Sequence, residues 1–182
     1  MNSHSASHYS PARIIRSREG NTHIADLLQS VFAAELLRPS ERIFLVSPWI
    51  SDIHVLDNTA GQFATVVPEW DHAFIRLSKV LGFLAEQQTQ LHIATNHADH
   101  NEHFRRQMAD FQKRADLHIE IHIANKLHEK GLLGDGYYLA GSFNFTYGGI
   151  SLNEEVAQFH TDTSVIAEHR VHFNNRWVKG MP

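Results

Sequence analysis

The hydrophobic pattern of this 182-residue chain changes its period several times, and each change marks a predicted element. In four segments apolar residues recur every three or four positions, which is typical of amphipathic helices. These helices are expected between Thr22 and Pro39 and over residues 74–84, 99–115 and 163–178. The third helix starts with Asp99 and Glu102 at the spacing of a capping box. The last helix is expected to turn inward the side chains of Ile166, His169, Phe173 and Trp177.

Continuous or alternating apolar runs predict strands between and after these helices. The strands are expected over residues 42–51, 91–97, 117–123, 127–133, 137–142 and 155–160. Residues 52–68 are predicted to form a loop, and the serine- and histidine-rich residues 1–12 a flexible N-terminal arm. Helices alternate with strands at first, and strands cluster later. The predicted fold class is therefore α/β, a mixed β-sheet flanked by helices on both faces.

Composition favours an ordered protein with a substantial core. Hydrophobic residues make up 42% of the chain and charged residues 20%, so we expect a single domain over residues 1–182. The absence of cysteine excludes disulfides, thiolate metal sites and a cysteine nucleophile. Residues 1–20 lack the apolar run of a secretory signal, and no segment has the apolar length of a membrane span. We therefore expect a cytoplasmic protein that does not enter a membrane.

Candidate chemistry is concentrated in one motif. His128 and Lys130 are two residues apart on a predicted strand, so their side chains are expected to point the same way, about 7 Å apart. Asp135 lies in a Gly-Asp-Gly turn, which it is expected to brace in support of the site. The next strand then brings Ser142 and Asn144 to the same edge of the sheet. An imidazole, an ammonium group and neutral hydrogen-bond donors suit a phosphodiester, because the donors hold its oxygens while the imidazole acts on phosphorus or the leaving oxygen.

The spacing H-x-K-x4-D followed by G-S-x-N resembles the signature of the phospholipase D superfamily. It is matched here by His128, Lys130, Asp135, Gly141, Ser142 and Asn144. In that family a glutamate follows in an N-x-E turn, which Glu155 fits best, with Glu154 as the alternative. The resemblance is strongest over residues 121–160 and extends more weakly to residues 42–51. One departure is the pair Gly131 and Gly134, where family members more often have β-branched residues, so this strand is expected to bend or move.

The resemblance implies a metal-independent phosphodiesterase that needs no cofactor. His128 would attack phosphorus to form a phosphohistidine, which water then hydrolyses. Lys130, Asn144 and Ser142 would hold the phosphate, while Glu155 would accept a hydrogen bond from the second imidazole nitrogen of His128.

The single copy of the motif has a consequence for assembly. Family members with two copies supply two histidines from one chain, so the resemblance implies a homodimer whose two motifs meet at a twofold axis. In a monomer, the acid for the leaving group would have to come from another histidine, with His97 and His160 as the candidates.

The small size and single motif are similar to the stand-alone nuclease branch of the superfamily. They are also similar to phospholipase D-like proteins encoded beside bacterial DNA-modification and restriction systems, which implies DNA as substrate and proteins of such a system as partners. The net charge of −4 and the pI near 6.4 oppose nucleic-acid binding. A local basic patch would compensate unless it is an ordinary solvated face: Arg105, Arg106, Lys113, Arg114, Lys126 and Lys130. A DNA-binding scaffold with little turnover and a phospholipid hydrolase stay open as alternatives.

The other histidines of the chain do not predict a metal site. The candidates are His92, His97, His100, His103, His118 and His122. None belongs to an H-E-x-x-H motif, and no cluster of acidic ligands accompanies them in the sequence. We therefore expect these side chains to be solvated or half-buried polar groups.

Overall fold

The computed structural model describes residues 12–18, 22–114 and 117–179, so the predicted N-terminal arm lies almost entirely outside the described residues. Its strands are β1 (Arg13–Arg16), β2 (Arg42–Val46), β3 (His54–Asp57), β4 (Phe74–Arg76), β5 (Gln90–Thr95), β6 (Ile119–Ile123), β7 (Gly131–Leu133), β8 (Tyr138–Gly141) and β9 (Val156–His160). Its α-helices are α1 (His23–Leu37), α2 (Leu77–Glu86), α3 (Glu102–Arg114) and α4 (Thr163–Phe173). A 3-10 turn (Asp99–Asn101) precedes α3, and π-helical turns cover Gly148–Leu152 and Asn174–Val178.

Seven of these strands form one mixed sheet in the order β1-β9-β8-β7-β2-β5-β6. Strand β2 lies near its centre, parallel to β5 and antiparallel to β7. Its side chains are buried on both sides, which explains why the sequence of β2 reads as an unbroken apolar run. Strands β7, β8 and β9 then follow one another as antiparallel neighbours.

Alternation along β2 divides the core into two layers. Ile43 and Leu45 pack with helices α1, α2 and α3, whereas Phe44 and Val46 pack with α4 and the final π-helical turn. The rings of Phe44 and Phe173 lie 5.5 Å apart between centroids in the second layer. Helices therefore cover both faces of the mixed sheet, and the predicted fold class is confirmed.

The segment predicted as a loop, residues 52–68, contains a strand. In the structure β3 pairs with β4 in a separate two-stranded antiparallel sheet. Phe74, predicted on the core-facing side of a helix, belongs to β4, is 54% exposed and stacks on His54. The predicted helix was wrong at Phe74. Exposed Phe74, buried Ile75 and exposed Arg76 alternate with the period of a strand.

Two other local predictions differ from the structure. Strand β9 also pairs with β1, an N-terminal strand that was not predicted because its mostly exposed residues carry no core pattern. Asp99 does not cap α3, because it lies inside the 3-10 turn that precedes this helix. Among the described residues, no helix is both long and apolar enough to cross a bilayer.

A buried acid, Glu35, links the last turn of α1 to Ser40, just before β2. Glu35 is only 3% exposed, and its carboxylate accepts hydrogen bonds from the Ser40 backbone N–H at 2.8 Å and from the Ser40 hydroxyl at 2.7 Å. Burial raises the pKa of Glu35 above its ordinary value of 4.5, an effect that the two hydrogen bonds only partly offset. The folded protein therefore holds this proton more tightly than the unfolded chain does.

We expect Glu35→Gln to remove a pH-dependent part of the stability. Since the folded pKa is raised, the contribution of Glu35 is fully present below 4.5 and is lost as the pH rises through the folded pKa. The free energy of unfolding of the variant should therefore improve relative to wild type as the pH increases across this window, measured by urea denaturation. The exposed Glu41→Gln is the matched control and should show no such trend. A constant difference between Glu35→Gln and wild type at all pH values would contradict this assignment.

Candidate active site

Strand register brings four segments to one edge of the sheet. Gly131, the first residue of β7, pairs with Val46 at the end of β2 and with Ala140 near the end of β8. Gly141 in turn pairs with Ala157 at the start of β9. The segments 47–49, 128–130, 142–144 and 153–155 therefore lie at the same edge, which we call the motif edge.

His128 and Lys130 lie just before β7 and not within it. The predicted strand over residues 127–133 begins only at Gly131, because its partner β2 ends at Val46 and offers no further hydrogen bonds. His128 is exposed and Lys130 is half-buried. The Lys130 ammonium group donates a 2.8 Å hydrogen bond to the backbone carbonyl oxygen of His128, so Lys130 is held against the segment that carries His128.

Glu129, between them, is directed to the opposite side. Its carboxylate accepts a 2.8 Å hydrogen bond from Arg176 and lies 3.5 Å from His172, both near the end of the chain. The negative charge of Glu129 is therefore held by α4 and the turn that follows it.

The Ser142 hydroxyl and the Glu155 carboxylate form a hydrogen-bonded pair. Ser142 Oγ also accepts from the Val156 N–H at 3.1 Å, and Asn153 Nδ2 donates to Glu155 at 3.4 Å. The backbone N–H of Glu155 donates to the hydroxyl of buried Ser17 at 3.0 Å. The carboxylate is thus fixed at the motif edge.

The expected contact from Glu155 to His128 is not among the hydrogen bonds in the described part of the chain. Glu155 bonds instead to Ser142 and Asn153, so its role toward His128 stays a prediction. Glu154, the alternative, has an exposed side chain, whereas Glu155 is half-buried and tied to its neighbours. Geometry therefore favours Glu155.

Asn144 is oriented by a buried hydroxyl. Ser47, fully buried just after β2, has one hydroxyl hydrogen, which lies within donor distance of the Trp49 carbonyl oxygen at 2.9 Å and of Asn144 Oδ1 at 3.2 Å. The amide nitrogen Nδ2 of Asn144 is the donor end of this side chain. Trp49, which is 50% exposed, belongs to the segment that leaves β2 at the motif edge.

Two glycines allow the backbone to pack closely here. A β-carbon on Gly141 would collide with the carbonyl oxygen of Val156, and one on Gly149 would collide with the carbonyl oxygen of Asn144. Glycine is therefore required at the first position of the Gly-Ser-Phe-Asn turn. Glycine at position 131 is also explained by close packing, because a β-carbon there would lie 3.0 Å from the Tyr138 ring.

Asp135 lies at the opposite end of the β7–β8 hairpin. Its carboxylate accepts from the Glu41 N–H at 2.7 Å and pairs with Arg170 at 3.1 Å, while its own N–H donates to Ser40 Oγ at 2.9 Å. These contacts join the hairpin turn to the start of β2 and to α4. Asp135 therefore braces the turn, and the structure does not place it among the groups that meet at the motif edge.

The basic patch expected around α3 is only partly available. Arg106 pairs with Glu102 at 3.8 Å and Lys113 with Asp110 at 3.3 Å, so these charges belong to an ordinary solvated helix face. The side chain of Arg114 lies outside the described residues. Arg105 differs, because it donates to the carbonyl oxygen of Asn96 at 3.2 Å, directly after β5. This guanidinium group lies beside the segment that continues from β2.

The two histidines considered as the acid in a monomer, His97 and His160, lie at different ends of the sheet. His160 ends β9 and pairs in register with Tyr138, so it lies at the edge opposite His128. His97 is exposed and follows β5, where the neighbouring Asn96 N–H donates to the Pro48 carbonyl oxygen at 3.4 Å. Of these two, only His97 lies close to the motif edge.

Two supporting residues were missed in the sequence. Ser17 carries the Glu155 backbone, and fully buried Asn101 accepts from the Ile50 N–H at 2.8 Å while donating to the Pro48 carbonyl oxygen at 2.9 Å. Asn101 thereby fixes the chain that leaves β2. No periodic pattern marks either residue, since each acts through a single long-range contact.

An exposed imidazole-bearing residue, an ammonium group, an amide and a serine–carboxylate pair are thus brought to the motif edge, and these are the groups of the candidate site. Residues 53–177, more than half of the chain, match the family model described as "Cardiolipin synthase, PLD-like domain". The chain therefore belongs to the phospholipase D superfamily. No curated protein matches the sequence.

Solved structures share the fold at low sequence identity. Nuc from Salmonella typhimurium, described as a phospholipase D family member, superposes with a TM-score of 0.60 at 15% identity, covering 91% of this chain and 93% of that chain. NucT from Helicobacter pylori gives 0.56 at 11% identity, with 90% and 95% covered. TrmBL2, an archaeal chromatin protein whose structure is described as showing a novel mode of DNA binding, gives 0.52 at 15% identity, with 92% and 52% covered.

We expect Asp135→Ala to weaken the fold and to leave the chemistry intact. Loss of the bonds to the Glu41 N–H and to Arg170 should lower the free energy of unfolding by about 1–3 kcal/mol. The kcat per folded molecule, measured on a chromogenic phosphodiester well below the melting temperature, should stay close to wild type. Arg170→Ala, which removes the other side of the ion pair, should behave alike. A large loss of kcat in Asp135→Ala at unchanged stability would show that this carboxylate acts at the motif edge.

Proposed function

We propose that this protein is a metal-independent phosphodiesterase that cleaves DNA through a phosphohistidine on His128, in a site formed at a homodimer interface. The observation that carries the proposal is the arrival of His128, Lys130, Asn144 and the Ser142–Glu155 pair at one edge of the sheet. These groups supply a nucleophile, a cation and hydrogen-bond donors for one phosphate.

The chemistry follows from these groups in two displacements. A nitrogen of His128 bonds to phosphorus while the bond from phosphorus to the leaving oxygen breaks and an acid protonates that oxygen. Water then attacks phosphorus, gives its proton to the same group, and the phosphorus–nitrogen bond breaks. Lys130 and the Asn144 amide stabilise the charge on the phosphate oxygens in both steps, with Ser142 as a further donor.

The acid in this scheme comes from a second chain. Each chain has one motif histidine, and His128 is exposed at the motif edge, where a twofold axis would bring a second copy opposite it. The second imidazole, in its protonated form, would then supply the proton for the leaving oxygen. His97 is the intrachain alternative because it lies near the same edge.

Two features near the site support DNA as the substrate. The half-exposed Trp49 ring provides a surface on which a base can stack, and Arg105 adds a cation on the neighbouring segment. TrmBL2, which shares the fold, is described as binding DNA. A cytoplasmic location and partners from a DNA-modification or restriction system stay predictions from the sequence.

We expect DNA cleavage that persists in EDTA and is lost in His128→Ala. Removal of the nucleophile should lower the rate by at least about 1,000-fold, because no other group can form the intermediate. His118→Ala, which changes an exposed histidine before β6, is the matched control and should retain wild-type activity. Single- and double-stranded DNA are assayed in parallel, and sedimentation of the same preparation should give twice the chain mass.

The remaining outcomes discriminate the other functions. Tight DNA binding by wild type and His128→Ala, with no cleavage by either, would contradict the enzyme and favour a scaffold. Release of headgroups from phospholipid vesicles, without action on DNA, would identify a lipid hydrolase. A monomer with full activity would require an acid from the same chain, and loss of activity in His97→Ala would identify it.

A further inference from the structure

Three side chains of the types that bind metal ions lie close together on the sheet, although His92 is far from the other two in the sequence. His92 on β5 pairs in register with Glu120 on β6, and His122 follows two residues later on the same strand, so all three share one face. His92 Nδ1 lies 3.4 Å from His122 Nε2 and 3.5 Å from Glu120 Oε2. His122 Nε2 lies 3.6 Å from the same carboxylate oxygen. The three ligand atoms therefore form a nearly equilateral triangle.

The size of this triangle fits a tetrahedral metal ion. Zinc binds imidazole nitrogen and carboxylate oxygen at about 2.0–2.2 Å, so two ligands of a tetrahedral ion are about 3.3–3.6 Å apart. The observed separations of 3.4, 3.5 and 3.6 Å match this spacing with little adjustment. Two imidazoles and one carboxylate are also a donor set that holds zinc in proteins.

The surroundings hold the two imidazoles in place. The His92 ring is stacked on Phe44, with centroids 5.0 Å apart, and on the His122 ring at 5.7 Å. The His92 side chain is 4% exposed and that of His122 23% exposed, whereas Glu120 is 59% exposed. Burial lowers the pKa of His92 to about 4 and also lowers that of His122.

One nearby cation, Arg42, opposes a metal ion, but its guanidinium group is held in place by two neutral amides. Arg42 is close enough to His92 to contribute to its lowered pKa. Its guanidinium group donates to Gln90 Oε1 at 2.9 Å and to Asn174 Oδ1 at 2.6 Å, which orients it within that network. Glu120 supplies the compensating negative charge within the triangle.

We propose that His92, Glu120 and His122 form a zinc-binding site, with water in the fourth position on the exposed side of Glu120. The ion would tie β6, an edge strand of the seven-stranded sheet, to β5. The sequence did not predict this site because the acidic ligand and one histidine lie on a different strand from His92. It uses none of the groups at the motif edge, so its role is to stabilise the fold.

The test uses full-length protein without a polyhistidine tag, stripped with chelator and titrated with zinc against a chromophoric competitor. Wild type should bind one zinc ion per chain, and Glu120→Gln and His122→Ala should each weaken this binding by at least about 100-fold. His118→Ala, four residues before His122 and outside the triangle, should bind as wild type does. Cobalt should give the visible absorption of a tetrahedral ion in wild type and His118→Ala only, and zinc should raise the melting temperature of the same two proteins.

Two results would contradict the proposed zinc site. Weak zinc binding by wild type, of variable stoichiometry, or binding that is unchanged in Glu120→Gln would mean that the three groups form a hydrogen-bonded cluster only. Glu120 is largely exposed, so its variant decides the question even if His122→Ala does not fold. Chelator should lower the melting temperature and leave DNA cleavage unaffected, which keeps this test separate from that of the proposed function.

Discussion

The antiparallel pairing of β7 between β2 and β8 is the constraint on which the active site depends. This register places the start of β7, the end of β8 and the end of β2 at one edge. Lys130, Asn144 and Ser47 are far apart in the chain, yet each comes to this edge because its strand begins or ends there. The groups proposed for phosphoryl transfer are thus positioned by backbone hydrogen bonds of the central sheet.

The two ends of the β7–β8 hairpin have different tasks. At the turn, Asp135, Ser40 and Glu35 form a hydrogen-bonded chain that ties the hairpin to α1 and to the start of β2. At the other end, His128 is exposed and the neighbouring groups are oriented by buried partners such as Ser47 and Ser17. A rigid turn with a solvent-facing opposite end allows a substrate to reach groups whose positions are already fixed. The motif therefore combines a structural residue, Asp135, with the residues that are proposed to react.

Periodicity and motif spacing predicted the fold class and the residues of the motif edge, because both depend on local sequence. The buried run of β2 and the inward stripe of Ile166, Phe173 and Trp177 are direct consequences of burial on the two faces. The missed features depend on register across strands. Strand β3 needs β4 as its partner, and the cluster of His92 with Glu120 and His122 exists only because β5 and β6 are neighbours. A single sequence does not reveal which residues face each other across such a ladder.

The most direct test of the account is the covalent intermediate on His128. DNA labelled at the phosphate should be mixed with excess enzyme, quenched within the first turnover in alkaline denaturant, which preserves the phosphorus–nitrogen bond, and examined by peptide mass spectrometry. The account predicts a transient adduct on the peptide that contains His128, which forms and decays at rates compatible with turnover. Cleavage in a single turnover with no adduct, or with the adduct on another histidine, would contradict it.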